Sequence, residues 1–562
     1  MKNKKLWTLL LSAAMVSTVA LAGCGSSSSS STSSTTPDKV QHMSVAIPTT
    51  DIQTLDPAKG TDAYSAWVLQ ETMEALGRDE MKNGKETVVP AGAQSWNTSS
   101  DGLTWTFHLR DEKWSDGQPV TADQYVYALR RADDPNIASQ YQYLISGAGI
   151  ENVDDVYSGK MPLDKLGVSA PDSKTLVIKL SHPCAYFQKL LNFKFFMPQR
   201  EDVINNQGAK YGSTASGLVF NGPFKIVSME SGSKIELVKN EDYWDKKDVK
   251  LQQVTMNFMG DTNEQMNALQ SGEIDTMAVI EKEWNDKFSK EKNLVHSNLA
   301  SPQTGYLTFN FKDKNKLMSN VNIRKAIALS IDRTQYLDIA GGGIGIPAND
   351  WIPSDVQVGN QLYRDEAKSP FSQLQGDPKK LFSEGLKELG MNPDTSKITI
   401  VDTQAGTDAV AKKQGDLLSA EIEKKIGCNV KVNYEEWKQY LQDGSNLNFQ
   451  MESGNFWGAD YNDPMTFMDM WETDAAATTN AYSDKKYDAL IDDAKHENSQ
   501  AKRIADFEQA EKILLVTDVP FATTYHPSIS AFTYNYVKDM QILPFAPGSE
   551  LKYAYISGKA SN

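Results

Sequence analysis

An acid set among large aromatic rings is the arrangement in this chain best suited to hold a cation. In Trp457-Gly458-Ala459-Asp460-Tyr461-Asn462-Asp463-Pro464, the carboxylate of Asp460 follows Phe456 and Trp457 and precedes an Asn-Asp-Pro turn. Rings of that size are not left in water cheaply, since burying a Phe-sized side chain gains roughly 1.5–3 kcal/mol. They predict an Asp460 at the edge of an aromatic cavity. There its charge needs a partner, or it protonates or destabilises the fold. Two partners remain open: the backbone of its own turn, or a cationic group on a ligand.

Other reactive patterns lead nowhere. His42, His108, His182, His296, His496 and His526 are isolated, with no His-Glu-x-x-His or Cys/His cluster, so no metal site is expected. Gly343-Ile344-Gly345-Ile346-Pro347-Ala348 has dinucleotide-like spacing, but it follows a helical stretch and Pro347 removes an amide, so it reads as a loop. Ser231-Gly232-Ser233-Lys234 falls in a hairpin turn without companion motifs. There is no Gly-x-Ser-x-Gly and no Walker loop. With 73 acids in the chain, some pair is always close, so carboxylate pairs alone do not indicate a glycosidase. No cofactor and no catalysis are expected.

The elements that must position Asp460 belong to a long chain. At 562 residues it exceeds what one core organises, and 40% hydrophobic content with 11 Trp, 22 Tyr and 20 Phe is ample for packing. The net charge of −16 becomes −16 − 3 = −19 once residues 1–23, with Lys2, Lys4 and Lys5 and no acid, are removed. Such a surface disfavours nucleic acid and anionic substrates. The three lysines precede an apolar run from Leu6 to Ala22 that ends in Leu21-Ala22-Gly23-Cys24, the pattern of a secretory leader. The run is short for a membrane span and is broken by Thr8, Ser12, Ser17 and Thr18. Ser26 to Thr36 is nearly pure Ser/Thr and reads as a flexible tether. Cys184 and Cys428 either pair or stay as two buried thiols.

Along the body, 43–47 reads as a strand, 63–76 as a helix and 103–109 as a half-buried strand. Thr121 and Gln124 form a capping box ahead of a helix. Gly272 ends one helix, and Asp377-Pro378 starts another. Residues 397–403, 407–426 and 429–434 make a βαβ-like unit, which implies an α/β lobe. Helices follow near 484–495 and 500–515, then an extended stretch at 519–525.

Several strings then acquire meaning together. Lys113-Trp114-Ser115-Asp116-Gly117-Gln118-Pro119-Val120-Thr121-Ala122-Asp123 resembles the signature of peptide- and nickel-binding lipoproteins of ABC importers, oligopeptide branch. Asn221-Gly222-Pro223-Phe224, Asn240-Glu241-Asp242-Tyr243-Trp244, Leu269-Gln270-Ser271-Gly272-Glu273-Ile274-Asp275 and Asn322-Ile323-Arg324-Lys325-Ala326 match its other landmarks in order, over residues 40–556. Leu21-Ala22-Gly23-Cys24 likewise resembles a lipoprotein box, implying cleavage before Cys24, acylation of its sulfur and attachment to the outer side of the cell membrane.

The resemblance implies an α/β, periplasmic-binding-protein-like fold with two hinged lobes and an extra domain inserted in the first. The expected divisions are leader 1–23, tether 24–39, lobe I at 40–75 with 201–303 and 528–562, extra domain 76–200, and lobe III at 304–527. It implies a monomeric receptor that closes on extended oligopeptides and delivers them to an ABC permease and ATPase. By the same resemblance Asp460 meets the peptide's α-amino group. Trp437 and Trp457 line a side-chain pocket, Gly458 offers backbone, Tyr141 sits by the first residues, and Phe456 is counted among the peptide contacts. Thr61 to Ala63 forms a strand-pairing loop, and Tyr525 is a further contact. Other ligands on this fold are a signalling peptide or a nickel chelate, and an exported hydrolase is the rival of another class. One departure concerns Gly454, where relatives that meet a short peptide's C-terminus carry arginine.

Overall fold

The protein is described by a computed structural model covering residues 36–473, 475 and 480–559. The leader, Cys24 and the tether as far as residue 35 lie outside the described residues. Three larger sheets organise the chain. The first has eight strands, running Leu294–Ala300, Tyr525–Tyr534, Thr276–Ala278, His42–Ile47, Gln253–Phe258, Lys234–Lys239 and Phe224–Glu230, with Gly345–Pro347 added beside Tyr525–Tyr534. The second runs Asn429–Glu435, Thr399–Ala405, Met451–Gly458, Gln303–Phe309 and Phe521–Thr523. The third, four-stranded, is built from 93–179.

The chain passes directly between the first two sheets at two places. Ser301-Pro302 joins Leu294–Ala300 to Gln303–Phe309, and Thr524 alone joins Phe521–Thr523 to Tyr525–Tyr534. In the second sheet, Thr399–Ala405 and Asn429–Glu435 lie parallel, Thr399 opposite Asn429, with the crossover helix Ala409–Ile426 between them in sequence. Asp408 caps that helix and Gly427, at φ +79°, ends it. This is the βαβ unit read from the sequence, displaced by about two residues at the helix start.

The recurrent strings turn out to be joints. Trp114 Nε1 donates to Gln124 Oε1 at 2.9 Å, and that oxygen also accepts the Thr121 N–H at 3.1 Å, tying the Asp-Gly turn to the helix Ala122–Ala132. Arg131 on that helix grips Asp56 through two 2.6 Å bonds, both side chains buried. Asn221 accepts the Glu74 N–H at 3.0 Å and donates to the Glu74 carbonyl at 3.1 Å, while the Gly222 N–H donates to Thr72 O at 2.9 Å. A Cβ on Gly222 would stand 2.5 Å from the Thr72 carbonyl carbon, so only glycine permits this approach. The same contact stops the helix Ala63–Thr72 four residues short of the expected end, leaving Met73 extended.

Two further expectations change. Gly345–Pro347 is a short edge strand rather than a loop, since strand Tyr525–Tyr534 offers its free edge there. Cys184 and Cys428 are both free and buried, each in a different apolar core, so the pairing alternative falls away.

Candidate functional site

Strand Met451–Gly458 leads straight to Asp460. Ala459 N–H donates to Pro302 O at 2.9 Å, Asp460 N–H to Thr466 Oγ1 at 3.1 Å, and Trp457 Nε1 to Thr466 O at 2.7 Å. The acid that closes the turn is Asp463. Its carboxylate accepts the Met465 N–H at 3.1 Å and holds Arg503 through bonds of 2.7 and 3.0 Å with both side chains buried. Asp460 is thereby released from the turn. Its Oδ2 instead accepts the Tyr143 hydroxyl at 2.6 Å, across 317 residues of chain.

Asp460 faces a cavity of about 290 Å³ lined also by Ala63, Tyr141, Phe193, Lys194 and Phe545, so segments from all parts of the chain meet there. The charges around it are accounted for one by one. Asp62 caps the helix Ala63–Thr72, accepting the Ser65 N–H at 2.7 Å. Glu74 and Glu550 both hold Arg78, at 3.0 and 2.6 Å. Lys194 donates to the Gly60 carbonyl and lies 4.2 Å from the Tyr141 ring centre; burial pushes its ammonium down to about 8. Asp79 accepts from Asn192, and burial pushes it up to about 7. Asp460 is left with one neutral donor and no ion pair among the described residues. Burial raises its pKa to about 6, opposed by the Tyr143 bond and by the Lys194 charge. A carboxylate so placed accepts a cationic donor with little rearrangement.

Of the eight residues singled out by sequence, Ala63, Tyr141 and Asp460 line this cavity. Ala63 opens a helix instead of lying in a strand-pairing loop. Tyr141 donates to Thr61 O at 3.1 Å and packs edge-on against Phe193 at 5.1 Å. Trp457 and Gly458 lie on the approach strand, opposite Thr304 and Gln303. Trp437 is 56% exposed and stacked on Tyr440, and Phe456 is 40% exposed with its ring edge-on to the buried Tyr525 at 5.2 Å. These five, Trp457, Gly458, Trp437, Phe456 and Tyr525, are not among the lining residues, so the rings that line the cavity beside Asp460 are phenyl and phenol rather than indole. Tyr143, Lys194, Phe193 and Asp79 were not singled out. Tyr143 stands two residues from Tyr141, and that repeat was the one available signal.

At Gly454 the backbone has φ +82°, and a Cβ there would meet Gln404 Nε2 at 2.3 Å. Gln404 occupies the room an arginine side chain would need. A hydrolase-like line, Thr304–His526–Asp350, does exist: His526 is 3.0 Å from Thr304 Oγ1 and 2.5 Å from Asp350 Oδ1. The Thr304 hydroxyl is buried and donates to Trp351 O at 2.8 Å, so it is held as a structural link. Among the described residues no group of three or more His, Cys, Asp or Glu is placed to hold a metal ion, and no helix is long and apolar enough to cross a membrane.

Residues 87–479 match the family described as bacterial extracellular solute-binding proteins, family 5, middle portion. The chain belongs to that family. A dipeptide-binding protein, DppE of Bacillus subtilis, is 30% identical over 528 residues, covering 93% of this chain and 94% of the relative. Among solved structures, Listeria monocytogenes OppA bound to peptide has a TM-score of 0.74 at 32% identity, covering 92% of this chain and 99% of that one. Haemophilus influenzae OppA in complex with the peptide RPPGFSPFR has a TM-score of 0.78 at 25% identity, covering 93% and 100%. The family-5 fold is therefore the lobed, periplasmic-binding-protein-like architecture expected, and its members are receptors for solutes rather than enzymes.

Proposed function

We propose that this family-5 protein is a lipid-anchored receptor that binds oligopeptides by their free amino end and presents them to an ABC importer. The supporting observation is the Asp460 carboxylate, half-buried at a multi-segment cavity, free of its own turn and, among the described residues, paired only with a neutral hydroxyl. A peptide's α-ammonium supplies the missing positive charge. The relatives named for dipeptides and oligopeptides favour the same ligand class. Backbone pairing common to all peptides would carry much of the affinity, with the charged end fixing register.

The two crossing points at Ser301-Pro302 and Thr524 support a hinge between lobe I (40–75, 201–303, 528–562) and lobe III (304–527), with 76–200 as the inserted domain. Closure then follows two-state logic, peptide favouring the shut form because that form touches it from both sides. Attachment rests on Cys24, and a Cys24→Ala variant should leave the membrane fraction for the medium. Calorimetry with free-amine tri- to pentapeptides tests the ligand class. Saturable binding is expected, and its absence across the set, with nickel chelates binding instead, overturns the reading.

A further inference from the structure

A second cavity of about 120 Å³ adjoins the first, and Asp79, Asn192, Asp460 and Phe545 wall both. Its other side is formed by Glu86 and Lys189 together with the backbone and side chains around Gln357 and Asn462. The one cation in that wall among the described residues is already engaged: Lys189 Nζ donates to Gln357 O at 2.9 Å and to Asn462 O, and burial pushes its ammonium down to about 8. The acids are not matched. Glu86 is only 7% exposed; one oxygen accepts the Phe545 N–H at 2.9 Å, and the other, Oε1, has no hydrogen-bond partner among the described residues. Among the described residues Asp79 accepts its side-chain hydrogen bond from the neutral Asn192, and the one guanidinium whose charge reaches it, Arg78, is already held by Glu74 and Glu550. Asp355 stands close enough for its charge to act on Glu86, and among the described residues no other residue donates to its carboxylate oxygens.

Buried carboxylate oxygens without donors are uncommon and call for an explanation by a missing partner. Here several acids act on one small cavity whose lysine is committed to carbonyls. Burial and the neighbouring acids push Glu86 well up and Asp79 up to about 7, so the wall resists carrying its negative charge unaided; a cation both satisfies the free oxygen and stabilises the charged carboxylates. The cavity also shares Asp460 with its neighbour, so a peptide held there by its amine has a side chain within reach. We propose that the Asp79–Glu86 cavity is a subsite for a cationic side chain, lysine or arginine, near the amino end of the bound peptide. This rests on the peptide reading above and adds a side-chain preference to it.

The test is calorimetry at pH 7.5 with tetraalanine, with tetraalanine carrying arginine at position 1, 2 or 3, and with citrulline, arginine's neutral near-isostere, at the same positions. The expected result is that arginine at one of these positions tightens binding at least tenfold over alanine, about 1.4 kcal/mol, and that citrulline does not. In Glu86→Gln the ratio between the arginine and alanine peptides should collapse to within about threefold. Equal affinities for arginine and alanine peptides at every position overturn the subsite while leaving the peptide reading intact, and so does an arginine gain that citrulline reproduces. If no peptide in the set binds, the peptide reading itself is overturned and the subsite with it. The wild-type arginine and citrulline comparison decides the matter even where the Glu86→Gln chain fails to fold.

Discussion

Replacing Asp460 with asparagine removes a single charge while keeping the side chain's shape and one acceptor oxygen. In a site shielded from water, losing a charged partner costs roughly 2–5 kcal/mol. Two features of this site place the loss in the lower half of that range. The carboxylate already accepts the Tyr143 hydroxyl at 2.6 Å, so its acceptor capacity is shared. The Lys194 charge already acts on it. Its pKa of about 6 leaves it ionised at pH 7.5, so no proton has to depart when an amine arrives and the coupling does not fall below that range. Asp460→Asn should therefore weaken a free-amine tetrapeptide by about 2–3 kcal/mol, or 30- to 150-fold. Stability should not suffer. A carboxyl whose pKa rises on folding favours the fold below its unfolded value, and that contribution is lost as pH rises through 6, so at pH 7.5 the charge is a burden the amide removes. Calorimetry on wild type and variant, each with the free-amine peptide and its N-acetyl twin, closes a cycle that isolates the amine–carboxylate coupling. Acetylation should be costly in wild type and nearly free in Asp460→Asn. An acetylation penalty of equal size in both proteins refutes the reasoning, whatever the absolute affinities.

Peptide affinity should be greatest near pH 7, falling below 6 as Asp460 protonates and above about 8 as the peptide's α-amine loses its proton; at pH 5 the loss should be about tenfold. Calorimetry at pH 5 and 7.5 in matched ionic strength checks this, and tighter binding at pH 5 contradicts it. Arg503→Met leaves Asp463 buried without its cation and should destabilise the fold by roughly 3–5 kcal/mol. Thermal unfolding within a degree of wild type would contradict that. Gly222→Ala drives a methyl into the Thr72 carbonyl and should lower Tm or abolish soluble expression, whereas unchanged unfolding would show that the joint can shift.

Much of the scaffold was legible because local chemistry dictated it. Asp377 accepts an N–H group at a helix start, and Gly272 takes the left-handed φ that ends a helix. The parallel pair around Ala409–Ile426 follows from two apolar extended runs separated by one helix. What local chemistry did not carry was partnership over distance. Asp460 and Asp463 sit three residues apart in one motif, and only the position of Arg503 decides which of them closes the turn. Tyr143 reaches Asp460 across 317 residues, and Lys194 comes from a third segment of chain. Ring size alone favours burial of Phe456, and the resemblance places Trp437 in a side-chain pocket, yet each leaves a wide face exposed. Gly345–Pro347 became a strand because a distant edge was vacant, which no reading of those three residues reveals.

The most direct measurement is a crystal structure of the chain soaked or grown with a free-amine tetrapeptide at neutral pH. The account predicts the peptide's α-nitrogen within 2.7–3.2 Å of an Asp460 oxygen, beside Tyr141. A peptide lying with its amine in bulk water, and Asp460 still bonded to Tyr143 alone, would contradict it.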